Sequence, residues 1–101
     1  MAISIFLQDI YGKRRIHVID PDCTQDNLWP VGNPEFPLLQ YIDPYGDAVF
    51  NNAQMPQIAK ELEALLAKST SEEHRTVLAE VIALAESCRK QPQTFLRFAG
   101  D

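Results

Sequence analysis

The chain has 101 residues, of which 46% are hydrophobic and 23% are charged, and its 14 acidic and 9 basic side chains leave a net charge of −5. This length suits one domain with a core of its own, and the acidic balance argues against a nucleic-acid-binding protein, which needs clustered Lys and Arg. No stretch approaches the roughly 20 apolar residues of a transmembrane helix, and the N-terminus MAISIFLQD lacks the basic region and the cleavage site of a secretory signal.

The N-terminal residues predict a β-hairpin followed by a long loop. Apolar side chains alternate along residues 2–8, which is typical of a strand, and residues 14–19 form the return strand after a turn at Tyr11-Gly12. Residues 20–37 contain four prolines, which lack an amide donor and fix φ. The sequence therefore predicts a loop of restricted conformation, and loops of this length are often either functional or disordered.

A second hairpin is predicted in the middle of the chain. Residues 38–42 and 48–50 have the character of short strands, and they flank the turn sequence Asp-Pro-Tyr-Gly-Asp. Pro44 sets φ at the first central position of this turn, and Gly46 is able to adopt a positive φ.

Two helices and a closing strand follow. Asn51 or Asn52 is expected to cap the first helix, with Pro56 in its first turn. Thr70 and Glu73 match a capping box for the second helix, which ends before Pro92. The apolar stripe of the first helix consists of Met55, Ile58, Leu62, Leu65 and Leu66, and that of the second of Val77, Leu78, Val81, Ile82, Ala85 and Cys88.

These elements predict a single α+β domain over residues 1–101. Residues 94–99 form the last strand, with Leu96 and Phe98 on one face. The order β-β-β-β-α-α-β favours an antiparallel sheet of about five strands with two helices packed on one face.

No pattern of catalytic or metal-binding residues is present. The two cysteines and two histidines are dispersed along the chain, so we expect no metal and no cofactor. His17 beside Asp43 or Asp47 is the one arrangement that a small enzyme would use, although a lone histidine on a strand is more often solvated. We expect a non-catalytic cytoplasmic protein in which Cys88 is a reduced core thiol and Cys23 lies in a polar loop.

Charge is segregated along the chain. No Lys or Arg occurs between Arg15 and Lys60, and this span contains the acids Asp20, Asp22, Asp26, Glu35, Asp43 and Asp47. The same span holds five of the nine aromatic residues. Phe50, with either Tyr41 or Phe36, is expected in the core, whereas Trp29 and Tyr45 lie in loop and turn sequence. Aromatic side chains surrounded by charges of one sign are typical of protein–protein hot spots.

The segment FPLLQYIDPYGDAVFN, residues 36–51, resembles a group of small bacterial proteins with an Ile-Asp-Pro-Tyr-Gly-Asp central hairpin. The resemblance extends to the two following helices and to the ending that contains Phe95, Phe98, Gly100 and Asp101. It implies a bacterial origin and a shared fold, and it implies no active site. In size and acidity the chain is also similar to immunity proteins of toxin systems of the contact-dependent inhibition kind, which neutralise cationic nuclease toxins.

The sequence therefore predicts an immunity-type binding module that covers the active surface of a basic toxin. The six acids would meet basic side chains of the toxin, and Trp29 and Tyr45 would anchor the contact. A small enzyme that uses His17 is an alternative. The third alternative is a homo-oligomer that pairs through an exposed edge strand. For the leading interpretation we expect a chain that is a monomer or a weak dimer when alone.

Overall fold

The protein is an α+β domain built on one antiparallel sheet. A computed structural model describes residues 3–20 and 28–100, with side chains described for residues 3–14 and 28–100. The strands are β1 (Ile3–Asp9), β2 (Arg14–Asp20), β3 (Asp47–Asn51) and β4 (Thr94–Ala99), and the helices are α1 (Met55–Lys68) and α2 (Glu72–Lys90). The described sheet has four strands in the order β2-β1-β4-β3, so the fifth predicted strand is not found.

The last strand lies inside the sheet. β4 pairs antiparallel with β1 on one side and with β3 on the other, and the register aligns Ser4 with Ala99 and Ala99 with Asp47. β1 in turn pairs with β2 across the N-terminal hairpin. The predicted second hairpin is therefore replaced by a pairing between strands that are far apart in sequence.

The first hairpin closes as predicted, with Gly12 at a φ of 81°. Asp9 organises this turn, because its Oδ1 accepts hydrogen bonds from the amides of Tyr11 and Lys13. An Asp side chain that bonds the backbone a few residues ahead is a common way to fix a tight turn.

The core fills the space between one face of the sheet and the helices. The alternation predicted for β1 and β4 is confirmed, and their inward side chains are buried together with those of β3: Ile3, Ile5, Leu7, Ala48, Phe50, Leu96 and Phe98. Most of both helical stripes is buried against them, including Cys88 as predicted. Leu65, Leu66 and Ile82 are partly buried and pack against the same cluster.

Phe6 is buried on the opposite face of the sheet. Its side chain is fully buried although it points away from the helices. The guanidinium carbon of Arg14 lies 4.2 Å from the centre of its ring, and that of Arg97 lies 5.7 Å away. Cation–π contacts with two arginines therefore lie over a ring on the face of the sheet opposite α1 and α2.

The predicted strand over residues 38–42 is wrong, because Leu39–Tyr41 forms a 3-10 helix. Leu39 and Ile42, three residues apart, are the side chains that reach the core. The amides of Leu38 and Leu39 bond a side chain and not a neighbouring strand. The Oε1 atom of Glu61 lies 3.1 Å from the Leu38 nitrogen and 2.9 Å from the Leu39 nitrogen. A carboxylate from α1 thus caps the 3-10 helix, which leaves these amides unavailable for a sheet.

The helix starts differ in part from the predictions. Asn51 does act as a cap, in a reciprocal capping box with Gln54, but on a short 3-10 helix (Asn52–Gln54) that leads into α1. The capping box predicted for Thr70 and Glu73 is wrong by one residue. Ser71 is the N-cap of α2, and its hydroxyl accepts a hydrogen bond from the amide of His74.

Glu61→Ala should destabilise the protein by about 1–3 kcal/mol, because two amides would lose their acceptor inside the structure. Glu61→Gln is the milder comparison, since it keeps the Oε1 acceptor that both amides use and exchanges only Oε2, which accepts from Gln57, for an amino group. Denaturant unfolding of the two variants measures the difference. Equal unfolding free energies for the alanine variant and the wild type would contradict this role.

Cys88 makes the unfolding free energy of the protein depend on pH in the alkaline range. Burial raises the pKa of the thiol from 9.0 to about 11. Because the folded pKa is the higher one, the neutral thiol contributes its full stabilisation below pH 9.0, and this is lost as the pH rises toward 11. We compare the Cys23→Ser variant, which keeps Cys88, with the double variant Cys23→Ser/Cys88→Ala. The unfolding free energy of the first should fall more steeply over this pH range than that of the second. Parallel pH profiles would contradict the assignment.

Candidate protein-binding surface

The Asp43–Asp47 segment is a tightly hydrogen-bonded turn. The amide of Gly46 donates to the carbonyl oxygen of Asp43 over 3.2 Å. The amide of Tyr45 donates to Oδ1 of Asp43 over 2.9 Å. The Asp43 side chain therefore bonds the turn backbone, as expected for Asp at the first position of a turn.

The turn is also fixed by the end of β4. The amide of Gly100 donates to the carbonyl oxygen of Gly46 over 2.7 Å. A Cβ atom at Gly100 would lie 2.4 Å from the carbonyl oxygen of Pro44 and 2.5 Å from that of Asp43. The backbone of Gly100 therefore lies so close to the turn that a side chain at this position would overlap it. The central turn and the C-terminal end of the described chain therefore contact each other here.

Gly46 has a different role from the one predicted. Its φ is not positive, unlike those of Gly12 and Gly32. A Cβ atom at Gly46 would lie 2.8 Å from the Oδ2 atom of Asp43. Glycine is favoured here by the close carboxylate of Asp43 and not by a left-handed backbone.

Two tyrosines project from this region. Tyr41 is 67% exposed and Tyr45 is 70% exposed, whereas Ile42 between them is buried in the core. The choice left open by the sequence is therefore decided: Phe36 is the core residue and Tyr41 is on the surface. We call Tyr41, Asp43, Tyr45 and Asp47 the 41–47 surface.

The acids expected at the binding surface have unequal surroundings. Asp43 is exposed and bonds the turn backbone. Asp47 accepts a hydrogen bond from Arg97, which also donates to Oε1 of Gln8. Glu35 lies 3.8 Å from Nζ of Lys68 in an exposed ion pair. Two of these three carboxylates are therefore beside a basic side chain, one of them from a helix.

The remaining three expected acids are described less fully. Asp22 and Asp26 lie outside the described residues, as does Cys23. The backbone of Asp20 pairs with Ile3, at the end of the sheet where Asp47 begins β3. The described register therefore brings Asp20 and Asp47 to the same end of the sheet, on its two edge strands.

Trp29 is not an exposed anchor, contrary to expectation. Its side chain is only 5% exposed, and its ring lies edge-on to Phe98 with 5.4 Å between the ring centres. The loop that carries it folds inward, because a large aromatic ring gains more from burial in the core than from solvent. Tyr41, which the sequence left as a possible core residue, is instead the exposed aromatic near Tyr45.

Two clefts lie on either side of Lys68, whose Nζ atom is 5.3 Å from the centre of the Phe36 ring. The larger has a volume of about 430 Å³ and includes Leu28, Leu65, Ser71 and His74 in its lining. The smaller, of about 360 Å³, is bordered by Glu61 and Lys60. Ser71 and Glu61 already bond the backbone here as caps, so both clefts are parts of the loop–helix packing.

The described side chains form no cluster of three or more His, Cys, Asp or Glu residues suited to a metal ion. His17 lies on β2, so three strand spacings, roughly 14 Å, separate its backbone from β3 and Asp47. The alternative that uses His17 with Asp47 therefore gains no support from the register.

Comparison with protein-family models, with curated proteins and with solved structures returns no match for this chain. Within residues 3–20 and 28–100, neither helix has the length and apolar character needed to cross a bilayer.

Gly100→Ala should destabilise the protein by about 1–3 kcal/mol, because the new methyl group would overlap backbone atoms of the turn that have little room to move. Gly46→Ala is the comparison, since its methyl group would meet the Asp43 side chain, which can rotate away. Thermal unfolding of both variants should rank Gly100→Ala as the more damaging. The reverse ranking would show that β4 does not fix the turn.

Proposed function

We propose that this chain is a non-catalytic protein-binding module of immunity type, which neutralises a basic, nuclease-type toxin by covering its active surface. The 41–47 surface makes the contact. The observation that carries the proposal is the pair of tyrosines, each about two-thirds exposed, on a backbone fixed by the core and by Gly100. The similarity to immunity proteins in size and acidity suggests the kind of partner.

The fixed backbone supports this assignment for an energetic reason. Association costs free energy when loops and side chains become ordered, and a surface that is already ordered avoids part of that cost. Tyr41 and Tyr45 flank the buried Ile42, and the turn between Asp43 and Gly46 is closed by its own hydrogen bonds. Tyrosine adds a large, rigid contact area with a polar tip, which is why it is enriched at hot spots.

The surrounding charge supports a basic partner. Asp43 is exposed next to Tyr45, and the chain as a whole carries a net charge of −5. A negative surface accelerates encounter with a positive one and discriminates against acidic partners. Because Arg97 already pairs with Asp47, we assign steering mainly to Asp43 and to the net charge.

Tyr45→Ala and Tyr41→Ala should each weaken toxin binding by roughly 30-fold or more, as expected for a hot-spot tyrosine. Candidate toxins are the domains encoded beside the gene in its source genome, and each is tested for binding by calorimetry and for growth arrest with and without this chain. Tyr11→Ala is the matched control, because Tyr11 is 88% exposed at the opposite end of β1. A toxin that binds all three variants as tightly as the wild type would overturn the assignment.

Asp43→Asn tests the contribution of the negative charge of Asp43 apart from its role in the turn. Asparagine keeps the Oδ1 acceptor that bonds the amide of Tyr45, so the turn should remain intact while one negative charge is lost. We expect association with the toxin to slow severalfold at low ionic strength and much less at high ionic strength. Stopped-flow association rates measure this, and rates independent of salt would argue against a basic partner.

A further inference from the structure

The outer edge of β3 carries backbone groups that the described residues leave unpaired. The amide of Asn51 donates to Oε1 of Gln54, away from β4, whereas the carbonyl of Gly46 accepts the amide of Gly100 at the end of β4. Backbone groups point alternately to the two sides along an antiparallel strand. Ala48 and Phe50 therefore bond β4, and the amides and carbonyls of Asp47 and Val49 point outward.

Among the described residues, the side chain of Gln54 takes the outward amide of Asn51 at one end of this edge, and the rest of the edge has no such partner. Within residues 3–20 and 28–100, no hydrogen bond reaches the backbone of Val49 from outside the β3–β4 ladder. The side chain of Val49 is 49% exposed, and Asp47 and Asn51 on the same face are exposed as well. An uncovered edge strand is a template for a further strand.

We propose that a second copy of this chain pairs antiparallel with β3, about a two-fold axis at Val49. This inference stands independently of the proposed toxin contact. The axis places Val49 opposite the second copy's Val49, and Asp47 opposite the second copy's Asn51. The pairing joins the two described four-stranded sheets into one sheet of about eight strands.

The residues of β3 are self-complementary in this register. A β-branched pair meets at the axis, which is a favourable cross-strand contact. Each aspartate faces a neutral amide and not a second carboxylate, and its charge is offset within its own chain by Arg97. Because the strand has five residues and the amide of Asn51 already bonds Gln54, few backbone hydrogen bonds form, so the dimer is weak and reversible.

Salt distinguishes this self-association from binding to a basic toxin. Each copy carries a net charge of −5, so two copies repel one another at low ionic strength. Added salt screens this repulsion and should strengthen the dimer, whereas it should weaken a contact between opposite charges. The direction of the salt dependence therefore tests self-association and toxin binding separately.

Sedimentation of the whole chain alone, at concentrations up to about 1 mM and at low and high salt, tests the proposal. We expect a reversible dimer that increases with salt. Val49→Pro removes the outward amide without removing a bond to β4, and it should weaken the dimer by about tenfold or more. Val49→Lys, which places like charges opposite each other, should act similarly, whereas Val49→Thr keeps the backbone groups and the dimer.

Amide hydrogen exchange locates the contact. With rising concentration, exchange should slow at Val49 and Asp47 and stay unchanged at Ala48 and Phe50, which already bond β4. A monomer throughout, or a dimer that persists in both Val49→Pro and Val49→Lys, would overturn the proposal. Protection of Val49 by a toxin segment in a chain that never self-associates would show that a foreign strand occupies this edge, and would also overturn it.

Discussion

The fold depends on β4, the last strand of the chain, which lies between β1 and β3. Leu96 and Phe98 of this strand join the inward side chains of both neighbours, so its removal would divide the sheet and open the core. Pairing between residues so distant in sequence costs loop-closure entropy, which the burial of these apolar side chains offsets. The N-terminal hairpin and β3 become parts of one sheet through this strand.

The same constraint shapes the exposed surface. β4 ends at Ala99, and Gly100 then contacts the carbonyl groups of Asp43 and Pro44. A turn that displays Tyr45 to solvent is therefore held by the strand that completes the core. The open edge of β3 begins at Asp47, where this turn ends, so the two proposed contacts lie next to each other.

Several charged residues that a sequence would assign to the surface have structural roles. Glu61 lies on an amphipathic helix among lysines and glutamates, yet it is buried and bonds the amides of Leu38 and Leu39. Arg97 lies against the ring of Phe6 and bonds both Gln8 and Asp47. A carboxylate can be buried at modest cost when several donors surround it. The proposed binding surface is consequently smaller than the acidic segment as a whole.

The sequence alone determined what local periodicity and turn chemistry encode: both helices, the first hairpin, the faces of β1 and β4, and the burial of Phe50 and Cys88. The tertiary structure decided what depends on distant partners. Residues 38–42 have the apolar content of a strand, but Glu61 supplies an acceptor from α1 and the segment becomes a 3-10 helix. Trp29 turns inward because Phe98 lies beneath it, and Tyr41 remains outside because Phe36 fills the core. A linear pattern records which residues can be buried, but the choice between equally apolar candidates depends on which of them the folded chain brings to the core.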